Sequence, residues 1–110
     1  GVPDRVFFAT NKSSLTTASR ATLRKQATYL RKNKNLTVTI EGHADERGTR
    51  EYNLALGERR ANAARDYLMT YGISGKRISV ISYGKEKPVN PKSSPLAWSQ
   101  NRRSVTVKVN

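Results

Sequence analysis

Leu36-Thr37-Val38-Thr39-Ile40-Glu41-Gly42-His43-Ala44-Asp45-Glu46-Arg47-Gly48 is the stretch that decides the fold. Leu36, Val38 and Ile40 alternate with Thr37, Thr39 and Glu41, the period of a strand with one face in a core. The alternation stops at Gly42. The polar segment bracketed by Gly42 and Gly48 reads as a loop. A second helical pattern begins near Glu51–Leu54, with Asn53 as its N-cap. Leu56, Ala63, Ala64, Tyr67 and Leu68 form its apolar face, and Gly72 supplies the stop. Gly57 inside that helix costs about 1 kcal/mol relative to Ala, so a close neighbour is expected there.

Working outward, Arg5-Val6-Phe7-Phe8-Ala9 reads as a short buried strand, and Thr10–Ser14 as a polar loop. Thr16 or Thr17 caps a first helix whose stripe is Leu23, Ala27 and Leu30, ended by Asn33-Lys34-Asn35. Beyond the second helix, Ile78–Tyr83 reads as a third strand, followed by a long loop from Gly84 to Ser94. Ser94-Pro95 opens a short third helix, with Pro at the position where its missing N–H does no harm. Val105, Val107 and Val109 alternate with Ser104, Thr106 and Lys108 in a fourth strand. This order predicts one domain over residues 1–110: an α/β two-layer sandwich, a mixed four-stranded sheet with two main helices and a short third one.

Composition narrows the function. The 110 residues contain no cysteine, which excludes a disulfide framework, a cysteine zinc site and thiol chemistry. No apolar run approaches the roughly 18 residues of a membrane span. The chain begins Gly1-Val2-Pro3 without Met, so a processed form or an excised domain is expected. The formal net charge is +13. It sits in the flanks: residues 1–40 and 67–110 each carry eight basic groups against one acidic, whereas 41–66 is nearly balanced. The basic groups of the first helix spread around its turns. Three readings follow: a solvated surface, attraction to an anionic envelope polymer or lipid, and nucleic-acid binding, for which no zinc-finger or RNP-type motif is present.

Asp45 in the loop and Arg60, about two turns into the helix, are the chemically informative pair. If the loop folds back, a carboxylate and a guanidinium come together. That arrangement is either a plain ion pair fixing the loop or a clamp for a zwitterion. In the clamp, Asp45 accepts from an ammonium and Arg60 holds a carboxylate through paired N–H bonds. His43 is the only histidine, so no metal site is expected, and no serine motif or second base completes a catalytic set. Gly42–Gly48 lacks the Lys-Ser/Thr ending of a phosphate loop.

Gly42-His43-Ala44-Asp45-Glu46-Arg47-Gly48-Thr49, Tyr52-Asn53 and Gly57-Glu58-Arg59-Arg60-Ala61-Asn62-Ala63 resemble the OmpA-like peptidoglycan-binding domain. Ser82-Tyr83-Gly84-Lys85-Glu86-Lys87-Pro88 and Asn101-Arg102-Arg103 fit the same pattern. Ala44-Asp45-Glu46-Arg47 resembles the peptidoglycan-associated lipoprotein branch of that family. The resemblance implies a noncatalytic domain without cofactor or metal. It implies binding of the diaminopimelate residue of the peptidoglycan stem peptide, with Asp45 and Arg60 on its distal amino-acid head group. Leu56 would pack on the ligand, and Asn11, close to Phe8 and Thr10, would stand where many members have Asp. Asn101 and Arg103 would brace the loop or touch the peptide.

The resemblance also implies a periplasmic domain tying the outer membrane of a Gram-negative bacterium to the wall, as part of a Tol–Pal-like system. Its lipid anchor would lie upstream. A TolB-like periplasmic protein would bind an overlapping surface, with Glu58, Arg59, Asn62 and Arg65 as contacts. The alternatives are an OmpA-type or flagellar-stator-type wall anchor, or mainly a protein-partner module. Asp45→Asn and Arg60→Ala are both expected to weaken wall binding while leaving the fold intact. Strong salt dependence of wall binding should accompany any contribution of the basic surface.

Overall fold

A computed structural model describes residues 1–110. The elements run β1 (Arg5–Phe7), α1 (Thr17–Lys32), β2 (Val38–His43), α2 (Arg50–Thr70), a 3-10 turn at Gly75–Arg77, β3 (Ile78–Gly84), α3 (Pro95–Asn101) and β4 (Arg103–Lys108). One mixed sheet has the order β1-β4-β2-β3. β4 is antiparallel to both β1 and β2, while β2 and β3 run parallel. Parallel neighbours need a long crossover, and α2 supplies it.

α1 and α2 cover one face of the sheet. Leu23, Ala27 and Leu30 of α1 meet Ala61, Ala64 and Leu68 of α2 over Val6, Val38, Ile40 and Ile78 of the strands. α2 sits unusually close to β2. A Cβ at Gly42 would overlap the backbone carbonyl of Gly57, and one at Gly57 would overlap Ser82 Oγ. Two glycines facing each other therefore let a helix backbone rest on a strand backbone, which accounts for the glycine inside the helix.

Several boundaries differ from the sequence reading. β1 ends at Phe7, because after one more bond, Phe8 N–H to the Arg102 carbonyl (3.0 Å), the chain turns away. Asn11 takes φ +57° in that turn, a conformation Asn tolerates better than most residues. β2 continues through Gly42 and His43, whose pairing with β3 shifts register at that point. The N-cap of α2 is Thr49, whose Oγ1 accepts from Tyr52 N–H at 3.1 Å, and not Asn53. Asn53 lies one turn inside the helix, buried, and donates to the Arg47 carbonyl at 2.9 Å. Thr16 and Ser94 cap α1 and α3, Pro95 opens α3, and Gly72 follows α2 at φ +87°.

Candidate functional site

A pocket of about 290 Å³ opens at the end of β2 where three segments converge. The turn after β1 contributes Thr10 and Asn11. The β2–α2 loop contributes Asp45, Arg47 and Gly48. α2 contributes Tyr52, Asn53, Leu56 and Arg60, which share one side of the helix at spacings of three, four and seven.

Arg60 is completely buried. Its Nε donates to the Lys12 carbonyl (2.9 Å), Nη1 to that of His43 (2.8 Å) and Nη2 to that of Ala9 (3.1 Å). One side chain thus ties α2 to the end of β2 and to the turn after β1. Its guanidinium carbon lies 5.3 Å from the Phe8 ring centre. A guanidinium has five N–H donors, so two remain, one on each terminal nitrogen. No carboxylate lies within ion-pair distance of it. Burial accordingly lowers its pKa to about 10, with the more distant Asp45 opposing the shift and Arg102 adding to it.

Asp45 and Arg60 are both in the pocket but are not an ion pair. The partner of Asp45 is Arg47. Oδ1 accepts from Arg47 N–H (3.0 Å) and Nε (3.1 Å), and Oδ2 accepts from Nη2 (2.8 Å). Arg102 Nη1 stands 3.6 Å from the same Oδ2. Burial alone would raise the Asp45 pKa. The hydrogen bonds from Arg47, helped by the charges of Arg47 and Arg102, outweigh it and hold the carboxylate below its ordinary value.

Of the other residues expected at a ligand site, Asn11, Thr10 and Leu56 line the pocket. Phe8 does not: it is a core residue behind Arg60. Arg103 does not reach the pocket either. Successive strand residues point to opposite faces, and Arg103 lies on the sheet face away from α1 and α2. There it donates to the Asn101 carbonyl and the Lys87 carbonyl, both at 3.1 Å. The neighbouring Arg102 is the one beside the site, with Nε on the Phe8 carbonyl at 2.8 Å. Asn101 is a brace: its side chain accepts from Val89 and Asn90 N–H and donates to the Asn90 carbonyl. Arg47, Gly48, Tyr52 and Asn53 were missed as lining residues, although all lie in the motif quoted above. Of the suggested partner contacts, Glu58 and Arg59 are exposed, and Asn62 and Arg65 are half-buried.

His43 is also buried, with Nε2 3.1 Å from Glu41 Oε1 and its ring stacked on Tyr83. Burial lowers its pKa, aided by the charges of Arg103 and Lys87 and opposed by Glu41. No group of three His, Asp or Glu side chains could hold a metal, and no helix is long and apolar enough to cross a membrane.

The model of the OmpA family matches residues 7–102. A peptidoglycan-associated lipoprotein of Rhizobium meliloti strain 1021 is 59% identical over 106 residues, which is 96% of this chain and 60% of that protein. The corresponding protein of Agrobacterium fabrum is 55% identical with the same coverage. The chain thus spans about 60% of the length of these curated relatives. The crystal structure of the peptidoglycan-associated lipoprotein from Burkholderia pseudomallei superimposes with a TM-score of 0.93 at 39% identity, covering 96% of this chain and 89% of that one. The C-terminal domain of Helicobacter pylori MotB shares the fold, with a TM-score of 0.89 at 20% identity over 97% of this chain and 84% of that one. The chain belongs to the OmpA family and, within it, is similar to the peptidoglycan-associated lipoproteins.

Proposed function

We propose that this domain binds cell-wall peptidoglycan noncovalently by receiving the distal head group of diaminopimelate in the pocket at the end of β2. The observation that carries this reading is Arg60: a buried cation lining an open pocket, braced by three carbonyls and paired with no acid. An incoming carboxylate takes its two remaining N–H donors and supplies the missing counter-charge. Asp45, in the same pocket, receives the ammonium of the head group. Leu56 and Tyr52 give the aliphatic chain an apolar wall. A zwitterion matches this pocket better than a simple anion, because the pocket holds an acid as well as bases.

Binding rather than catalysis is the fitting reading, since Thr10 Oγ1, the pocket's hydroxyl on the β1 turn, meets Arg47 (3.3 Å) and not a base. On this reading the domain works in the periplasm and links the wall to the outer membrane through an anchor outside this chain. The outward residues of α2, Glu58 and Arg59 foremost, offer a surface to a TolB-like periplasmic protein beside the pocket. The test is co-sedimentation with purified sacculi. The wild type pellets with them and releases no soluble muropeptides. Asp45→Asn pellets at least several-fold less. Equal pelleting of the variant returns Asp45 to a purely structural role. The part of binding that is lost between low and high salt measures the general basic surface, and the part that persists belongs to the pocket.

A further inference from the structure

Asp45 is already occupied. A carboxylate offers about four lone-pair positions. Three accept from Arg47, and Arg102 Nη1 lies 3.6 Å from Oδ2, too far for a hydrogen bond. An ammonium therefore finds at most one unbonded acceptor position on Asp45, with two guanidinium groups close by. Two of the three Arg47 contacts are made by its guanidinium, whose side chain is 41% exposed. The third is backbone and survives any movement of the side chain. The same guanidinium reaches Thr10 Oγ1 across the pocket and lies 4.1 Å from the centre of the Trp98 ring. Trp98 is itself held, with Nε1 on Glu46 Oε2 at 2.7 Å. Ser93 Oγ bonds the other oxygen of Glu46 at 3.0 Å. The guanidinium thus has a resting place between an acid and an aromatic face, at the mouth of the pocket.

We propose that Arg47 is a built-in competitor: its guanidinium occupies the ammonium position on Asp45 and must leave it, and its seat on Trp98, when a ligand amine enters. This rests on the reading of the pocket as a head-group site. The exchange replaces one cation by another on the same carboxylate, so the lost Arg47 pair offsets part of what the ammonium gains on Asp45, whereas the carboxylate on Arg60 meets no such competitor. The apparent affinity for an amine-bearing ligand is reduced by the fraction of molecules whose Asp45 is free. A ligand that has the carboxylate but lacks the distal amine has no reason to displace Arg47.

Trp98 is the only tryptophan, so its fluorescence reports on the stack directly. The experiment titrates wild type and Arg47→Gln with a stem tripeptide ending in diaminopimelate, and with the same peptide ending in 2-aminopimelate, which keeps the distal carboxylate and lacks the amine. Binding is read by calorimetry and by Trp98 emission. The expected result has three parts. The diaminopimelate peptide changes Trp98 emission in the wild type. Arg47→Gln binds that peptide roughly two- to fivefold more tightly, the range for removing an exposed competing ion pair, with no emission change. The 2-aminopimelate peptide binds both proteins equally. Tighter binding of the diaminopimelate peptide by the wild type than by Arg47→Gln overturns the exchange and makes Arg47 a ligand contact. Wild-type binding without an emission change also overturns it. If neither protein binds either peptide, the reading of the pocket itself falls, and the exchange with it.

Discussion

Arg60 ties an architectural role to the recognition proposed for it. Removing its side chain leaves the carbonyls of Ala9, Lys12 and His43 without their buried donor and opens a cavity over the Phe8 ring. Arg60→Ala should therefore lose about 3 kcal/mol or more of stability, read by urea denaturation, along with wall binding. Set against the sequence expectation that the fold stays intact, these bonds make Arg60→Ala a change of stability as well as of binding; Asp45→Asn, whose Oδ1 can still accept from Arg47 N–H, is the cleaner probe. That Asp45 and Arg60 come to one pocket was legible in the sequence, but their partners were not. A backbone carbonyl carries no side-chain signature, and Arg47, two residues from Asp45, outcompetes a more distant arginine for the same acid. His43 gives a second residue-scale expectation. Its folded pKa lies below the ordinary 6.5, because burial and the nearby Arg103 and Lys87 outweigh Glu41. The unfolded chain then takes up the proton first. The contribution is present above about pH 6.5 and is lost as pH falls below it, with a slope limited to about 1.4 kcal/mol per pH unit. Urea midpoints at pH 7.5 and 5.5 should differ more for the wild type than for His43→Phe, which keeps a ring against Tyr83.

At the scale of elements, the contact between β2 and α2 sets the depth of the pocket. Gly42 and Gly57 bring the two backbones together, so that Arg60, three residues beyond Gly57, reaches the His43 carbonyl. In an ordinary helix interior Gly→Ala stabilises by about 1 kcal/mol. Here Gly57→Ala should have the opposite sign, lowering stability by about 1–3 kcal/mol, because the new methyl meets Ser82 Oγ and the Gly42 carbonyl oxygen. Thermal unfolding of this single variant measures the sign. The glycine was legible as an anomaly inside a helical pattern, and so were the caps at Thr16 and Ser94. The start of α2 was not, since Thr49 and Asn53 are both good capping residues by type. The structure uses the first as the cap and spends the second on the Arg47 carbonyl, holding the loop that carries Asp45.

Across the whole molecule, the sheet order β1-β4-β2-β3 joins the two ends of the chain, pairing Arg5 with Val105. Local periodicity reveals strands and helices but not which strands pair over such separations. The excess of positive charge also takes on a second meaning at this scale. Arg20, Arg31, Arg60, Arg77, Arg102 and Arg103 each donate to backbone carbonyls, Arg77 to those of Leu30, Asn33 and Leu36 at the end of α1. A domain without cysteine is stitched across its loops by guanidinium groups, so part of the basic composition is architecture and not surface. The central claim concerns the one of these arginines that lines an open pocket. Calorimetric titration with stem peptides ending in diaminopimelate or in lysine tests it most directly, because lysine keeps the amine and lacks the distal carboxylate that Arg60 would hold. The account predicts clear preference for the diaminopimelate peptide. Equal binding of the two peptides, or none by the folded protein, would contradict it.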